Sequence, residues 1–75
     1  MPFKITLCEC DRRVIKRLID FNFKLGEVKP GICKDTSMVE IYVEQISLLS
    51  DSLMVRNDKG AMLIDTADFA ELIYD

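Results

Sequence analysis

From residue 3 to residue 8 the chain alternates, with Phe3, Ile5 and Leu7 apolar and Lys4, Thr6 and Cys8 between them. A period of two marks a half-buried strand. The period then changes. Val14, Leu18, Phe21 and Leu25 recur at i, i+4, i+7 and i+11, and Ile15 and Ile19 widen the stripe. Arg13, Lys16, Arg17, Asp20 and Lys24 fall on the opposite side, so the spacing predicts an amphipathic helix over 12–25. Asp11 suits its N-cap and Gly26 its C-cap, and Lys24 complements the negative end of the helix dipole. Residues 26–36 read as a loop, with Pro30-Gly31 as a turn signal.

Residues 37–49 carry two patterns at once. As a helix they place Glu40, Glu44, Ser47 and Asp51 in one polar stripe; as a strand they alternate Val39, Ile41 and Val43 with Glu40, Tyr42 and Glu44. The strand is preferred because it gives a register. A tight turn at Ser50-Asp51 pairs Leu48 with Leu53 and Ile46 with Val55. A two-residue loop at Asp58-Lys59, inside NDKG, then pairs Val55 with Met62 and Leu53 with Ile64. A three-residue loop with a bulge at Gly60 would instead turn Leu63 inward. Residues 65–74 read as a short closing helix, capped by Asp65 or Thr66, with Phe69, Leu72 and Ile73 on its apolar side. The expected fold is therefore α+β, a single small domain over residues 1–75. Its order is β-α-β-β-β-α, with helices on one face of a mostly antiparallel sheet.

Composition narrows the class. The chain is 49% hydrophobic and 31% charged, which is globular rather than disordered. No apolar run approaches the length of a membrane span, and no basic segment followed by an apolar one marks a secretory leader. Three cysteines, an odd and sparse set, do not suit a secreted disulfide scaffold, and the expected location is the cytoplasm. Net charge is −3, but it is unevenly placed. Residues 1–34 hold eight Lys or Arg against four Asp or Glu, whereas residues 35–75 hold two against nine. Such a split bears on partners rather than on fold.

The stretch CECDRRVIKRL, residues 8–18, is where chemistry would sit. Cys8 and Cys10 share a face if the strand is regular, and Cys33 could join them. A C-x-C with one distant cysteine and no histidine is nonetheless a poor zinc signature, so no metal is expected. Arg12 and Arg13 beside a helix start would lower the pKa of Cys10, yet no histidine is available as base and no C-x-x-C is present. No catalytic residue and no cofactor are expected. Asp65, Asp68 and Glu71 lack the spacing of a calcium loop and read as capping and solvation. Two arginines in the first helical turn oppose the helix dipole, so they are the residues folding explains least.

These features lead to one functional expectation and one alternative. The expectation is a small non-enzymatic cytoplasmic module, an adaptor, inhibitor or regulatory subunit of the kind phages use as accessory proteins. It would bind a protein partner, or a second copy as a homodimer, through Arg12, Arg13, Lys16, Arg17 and Lys24. The alternative is nucleic-acid binding through the same basic helix face. A sequence pI near 4.8 and the absence of a recognition motif count against the alternative.

Overall fold

The structure is a computed structural model and describes residues 1–75. Its elements run β1 (Phe3–Asp11), α1 (Arg12–Asp20), β2 (Lys24–Pro30), β3 (Thr36–Val43), β4 (Gln45–Leu48), β5 (Ser52–Asn57), β6 (Gly60–Asp65) and β7 (Glu71–Tyr74). A single 3-10 turn, Thr66–Asp68, precedes β7. Seven strands form two antiparallel sheets, of order β2-β3-β1-β7 and β4-β5-β6. The fold is thus mostly antiparallel sheet with one helix, instead of the one sheet and two helices the periodicities imply.

The two sheets meet because one run of chain belongs to both. Residues 37–49 are extended, as their β-branched alternation implies, but the run breaks at Glu44. There the Glu44 N–H donates to the Arg56 carbonyl at 2.7 Å, and the chain passes from the first sheet into the second. Between the sheets lie Ile5, Leu7 and Cys10 of β1, Val39, Ile41 and Val43 of β3, Leu53 and Val55 of β5, and Met62 and Ile64 of β6. Val14 and Leu18 of α1 and Phe23 close the core. The helix itself packs against β1, β2 and β3.

The helix ends five residues earlier than the apolar stripe suggests, at Asp20. Asn22 takes a left-handed φ of 65°, its N–H bonds the Ile19 carbonyl at 3.0 Å, and the Phe23 N–H bonds the Leu18 carbonyl at 2.9 Å. That pair of bonds is a Schellman closure with asparagine in the position glycine usually fills. Phe23 and Leu18, the apolar pair that accompanies such a closure, are both buried. Phe21, on the expected stripe, is instead 50% exposed. The expected loop over 26–36 is corrected by the same stop: Lys24–Pro30 is a strand, and only residues 31–35 turn. Gly31 is required there, since its N–H meets the Thr36 carbonyl at 2.8 Å and a Cβ would run into Thr36.

The second sheet has the two-residue loop. Leu48 pairs with Leu53, Ile46 with Val55, Val55 with Met62, Leu53 with Ile64 and Asn57 with Gly60. The Asn57 side chain accepts from the N–H groups of Lys59 (2.8 Å) and Gly60 (3.0 Å), and Gly60 supplies a φ of 153°. Leu48 is the member of the expected inner face that stays exposed.

The closing helix expected over 65–74 is also corrected. Asp65 caps only the 3-10 turn, accepting from the Ala67 N–H at 2.9 Å. The Ala70 N–H then bonds the Cys8 carbonyl, and Glu71–Tyr74 adds to the free edge of β1. A helix of ten residues gains little alone. An open strand edge beside it offers backbone partners and burial for Leu72.

Both neighbours of β3 carry a bulge. In β1 it falls between Leu7 and Cys10, with Glu9 at a φ of 53°; in β2 it falls between Leu25 and Val28. One extra residue reverses which side chains face inward. Cys10 therefore enters the core behind Leu7, while Cys8 stays half-buried on the other face, so the two thiols do not share a face after all.

Candidate functional site

Asp11 ends β1 and begins α1. Its carboxylate accepts from the Arg13 N–H at 2.8 Å and from the Arg13 guanidinium at 3.3 and 3.2 Å. These bonds hold the Asp11 carboxyl below its ordinary pKa and the Arg13 guanidinium above its own. The positive helix end thus has its anion already, supplied by its own cap. Arg17, one turn on, donates to the Leu63 carbonyl of β6 at 3.0 Å. Arg13 and Arg17 line a depression with Asp11, Val14 and Asp68.

Arg12 and Lys16 point elsewhere. They rim a groove of about 480 Å³ between α1 and β2. Its floor is Ile15 and Ile19 from the helix and Val28 and Pro30 from the strand, with Ser37 beneath; Lys29 borders the strand side, but its ammonium pairs with Glu27 at 3.7 Å. Ile19 is 57% exposed and Val28 47%. No acidic side chain lines the groove. A small domain with apolar surface to bury leaves two branched side chains open here, beside the two cations of α1.

Lys24 belongs to neither surface. It starts β2, pairs with Tyr42 of β3, and lies over the Tyr42 ring at 5.6 Å. Its expected place on the helix face is corrected by the early helix stop. The five expected residues thus occupy three places: Arg12 and Lys16 at the groove, Arg13 and Arg17 at the depression with Asp11 and Asp68, Lys24 on the strand. Sequence reading missed Val28, Lys29 and Pro30, which it placed in a loop. The available signal was the surplus of Ile15 and Ile19, more apolar surface than one stripe needs.

The remaining titratable groups do not assemble a reactive centre. Burial pushes the Cys10 thiol up to about 12, which keeps it protonated at neutral pH. Burial and then the charges of Glu71 and Glu9 raise Cys8. Cys33 is exposed in the 31–35 turn. No three Cys, Asp or Glu side chains converge as metal ligands would. On the outer face of the first sheet Lys4 pairs with Glu40 at 3.3 Å, and Thr6 donates to Asp75 at 2.8 Å, which ties the chain end to β1. No helix is long and apolar enough to cross a membrane.

Comparison with family models, curated proteins and solved structures finds no match to this chain. The functional reading rests on the geometry above.

Proposed function

We propose that this chain is a non-catalytic, cytoplasmic protein-interaction module that holds an apolar, acid-flanked segment of a partner protein in the α1–β2 groove. The observation that carries this is the groove itself, with half-buried Ile15 and exposed Ile19 and Val28 beside the cations Arg12 and Lys16 of α1, and with no acidic lining residue. Apolar anchors would supply most of the affinity, and the rim would set orientation and on-rate. Of the residues expected to bind, Arg12 and Lys16 contribute directly. Arg13 and Arg17 contribute through the fold, since their guanidinium groups are engaged by Asp11 and the Leu63 carbonyl. Nucleic acid is the weaker reading. A phosphate track needs several free cations on one surface, and here the basic residues are divided among three places, only one of them beside the apolar floor.

The test is selection of displayed random peptides of about twelve residues against the parent and an Arg12→Glu/Lys16→Glu variant. Both side chains are exposed, so the variant should fold. Enrichment of acidic and apolar residues on the parent, with at least tenfold weaker binding to the variant, is the expected result. Equal binding to both proteins would overturn the reading, as would steeply salt-dependent binding of a plain DNA or RNA oligonucleotide in preference to any peptide.

A further inference from the structure

The geometry points to an amphipathic helix of a partner protein as the occupant of the α1–β2 groove, with its apolar stripe on Ile15 and Ile19 and an acidic flank against Arg12 and Lys16. This rests on reading the groove as a partner site, and it goes further by fixing the form of the partner segment.

Backbone hydrogen bonding decides between helix and strand. An extended segment laid in the groove would need partners for half of its N–H and C=O groups. The only strand edge beside the floor is the free edge of β2. That edge is a poor template. Its ladder is broken by the bulge between Leu25 and Val28, Pro30 has no N–H to give, and Lys24 and Lys29 flank the break. Bulges, prolines and lysines are how natural edge strands refuse an added strand. A helix satisfies its own backbone and asks the groove only for side-chain contact. The floor suits it: Ile15 and Ile19 lie one turn apart, about 6 Å along the axis, and form the kind of i, i+4 ridge that helices interdigitate.

Charge and fold together indicate that the helix comes from another protein. Arg12 and Lys16 border the floor on the helix side and no acid lines it, so an occupant with an acidic flank is favoured. Two copies meeting groove to groove would bring like charges together. The acidic, apolar segments this chain does possess, the β4–β5 turn with Leu48, Leu49 and Asp51 and the strand β7, are not helical. Its one α-helix is α1, which is the wall of the groove.

The test uses two capped peptides of about fourteen residues and identical composition, built from Leu, Glu, Ala and Gln. One sets leucines at i, i+3, i+4 and i+7 with glutamates beside them; the other sets leucine at every second position. Binding is measured by fluorescence anisotropy, and the site by amide shifts of isotope-labelled full-length chain. The expected result is at least tenfold tighter binding of the helical order, shifts centred on Arg12, Ile15, Ile19 and Val28, and a gain of peptide helicity on binding. A proline placed mid-peptide should abolish that binding, and Ile19→Ser in the protein should weaken it at least fivefold. Equal or tighter binding of the alternating order, with new protection of β2 amides, would overturn the helical form and leave the groove reading standing. No binding of either peptide near millimolar concentration, or shifts centred on the second sheet, would overturn both.

Discussion

Leu18→Ala is the sharpest test of the helix and its closure. Leu18 is 0% exposed, and its carbonyl receives the Phe23 N–H that ends α1. The side chain belongs to the buried core cluster, packed where α1 meets the first sheet, so a cavity there has little means to collapse. Leu→Ala truncations in cores cost about 2–5 kcal/mol, more where collapse is poor, and about 3–4 kcal/mol is expected here. A domain of this length has only about 4–11 kcal/mol of stability in total. Such a loss should lower the melting temperature by roughly 12–30 °C and the urea midpoint in proportion, with an unchanged slope. The control is Phe21→Ala. On a helix running through residue 25, Phe21 would share the buried stripe and cost as much. In the structure it is half exposed and should cost under about 1 kcal/mol. Circular dichroism melts and urea titrations of the two variants decide it. Equal losses, or a Leu18→Ala midpoint within a few degrees of the parent, would refute the packing described.

Three further outcomes follow from particular contacts. Asn22→Gly should be neutral or slightly stabilising and Asn22→Val should cost about 1–2 kcal/mol, because only the second strains the left-handed φ; thermal melts check this. Asp11, whose folded pKa is depressed by Arg13, should contribute stability that is complete above its ordinary value of 3.8 and is lost as pH falls through the lower folded value. Asp11→Asn should flatten that acid limb in urea titrations between about pH 2 and 5, and superimposable profiles would exclude the ion pair. Cys10, raised from 9.0 to about 12, favours the protonated thiol, so its stabilisation holds below 9.0 and fades as pH climbs toward 12. At pH 8 a thiol reagent should modify Cys33 rapidly, Cys8 slowly and Cys10 only on unfolding, and near-stoichiometric zinc in the purified protein would contradict separated thiols.

What could be read from the chain was what local chemistry decides. The hairpin registers from Ile46 to Ile64 follow from side-chain alternation meeting short polar turns, and NDKG has both an Asx acceptor and a glycine for positive φ. Asp11 as a cap was legible because a short carboxylate before an apolar run has few other roles. What could not be read was decided at a distance. The apolar stripe runs straight through Phe21 and Leu25, and only Asn22 marks the stop. Leu25 faces inward on either path, but the early stop turns Phe21 out and brings Phe23 in. Residues 71–74 become a strand only because β1 has a free edge to offer. The groove was illegible for the same reason, since one of its walls is the strand hidden behind that misread stop.

Arg12 separates stability from binding more cleanly than any other residue. It sits in the first turn of α1, where the helix dipole opposes a cation, and one turn before Lys16, another cation. The dipole penalty is about 0.3–1 kcal/mol and the like-charge pair adds about 0.2–0.5 kcal/mol. Unlike Arg13, which the Asp11 carboxylate holds, Arg12 makes no ion pair or hydrogen bond through its side chain. Folding alone is therefore better served by an acid there. Arg12→Glu should raise the stability of the free chain by several tenths of a kcal/mol, reversing the dipole term and making a favourable i, i+4 pair with Lys16. If the groove holds an acid-flanked segment, the same substitution should weaken peptide binding severalfold, and the effect should shrink as salt is raised. Urea titration and peptide anisotropy on the same preparation give both signs. A gain in stability with unchanged binding would mean that Arg12 is merely solvated, and a loss of stability would mean that its local electrostatics are not those of a free cation at a helix start.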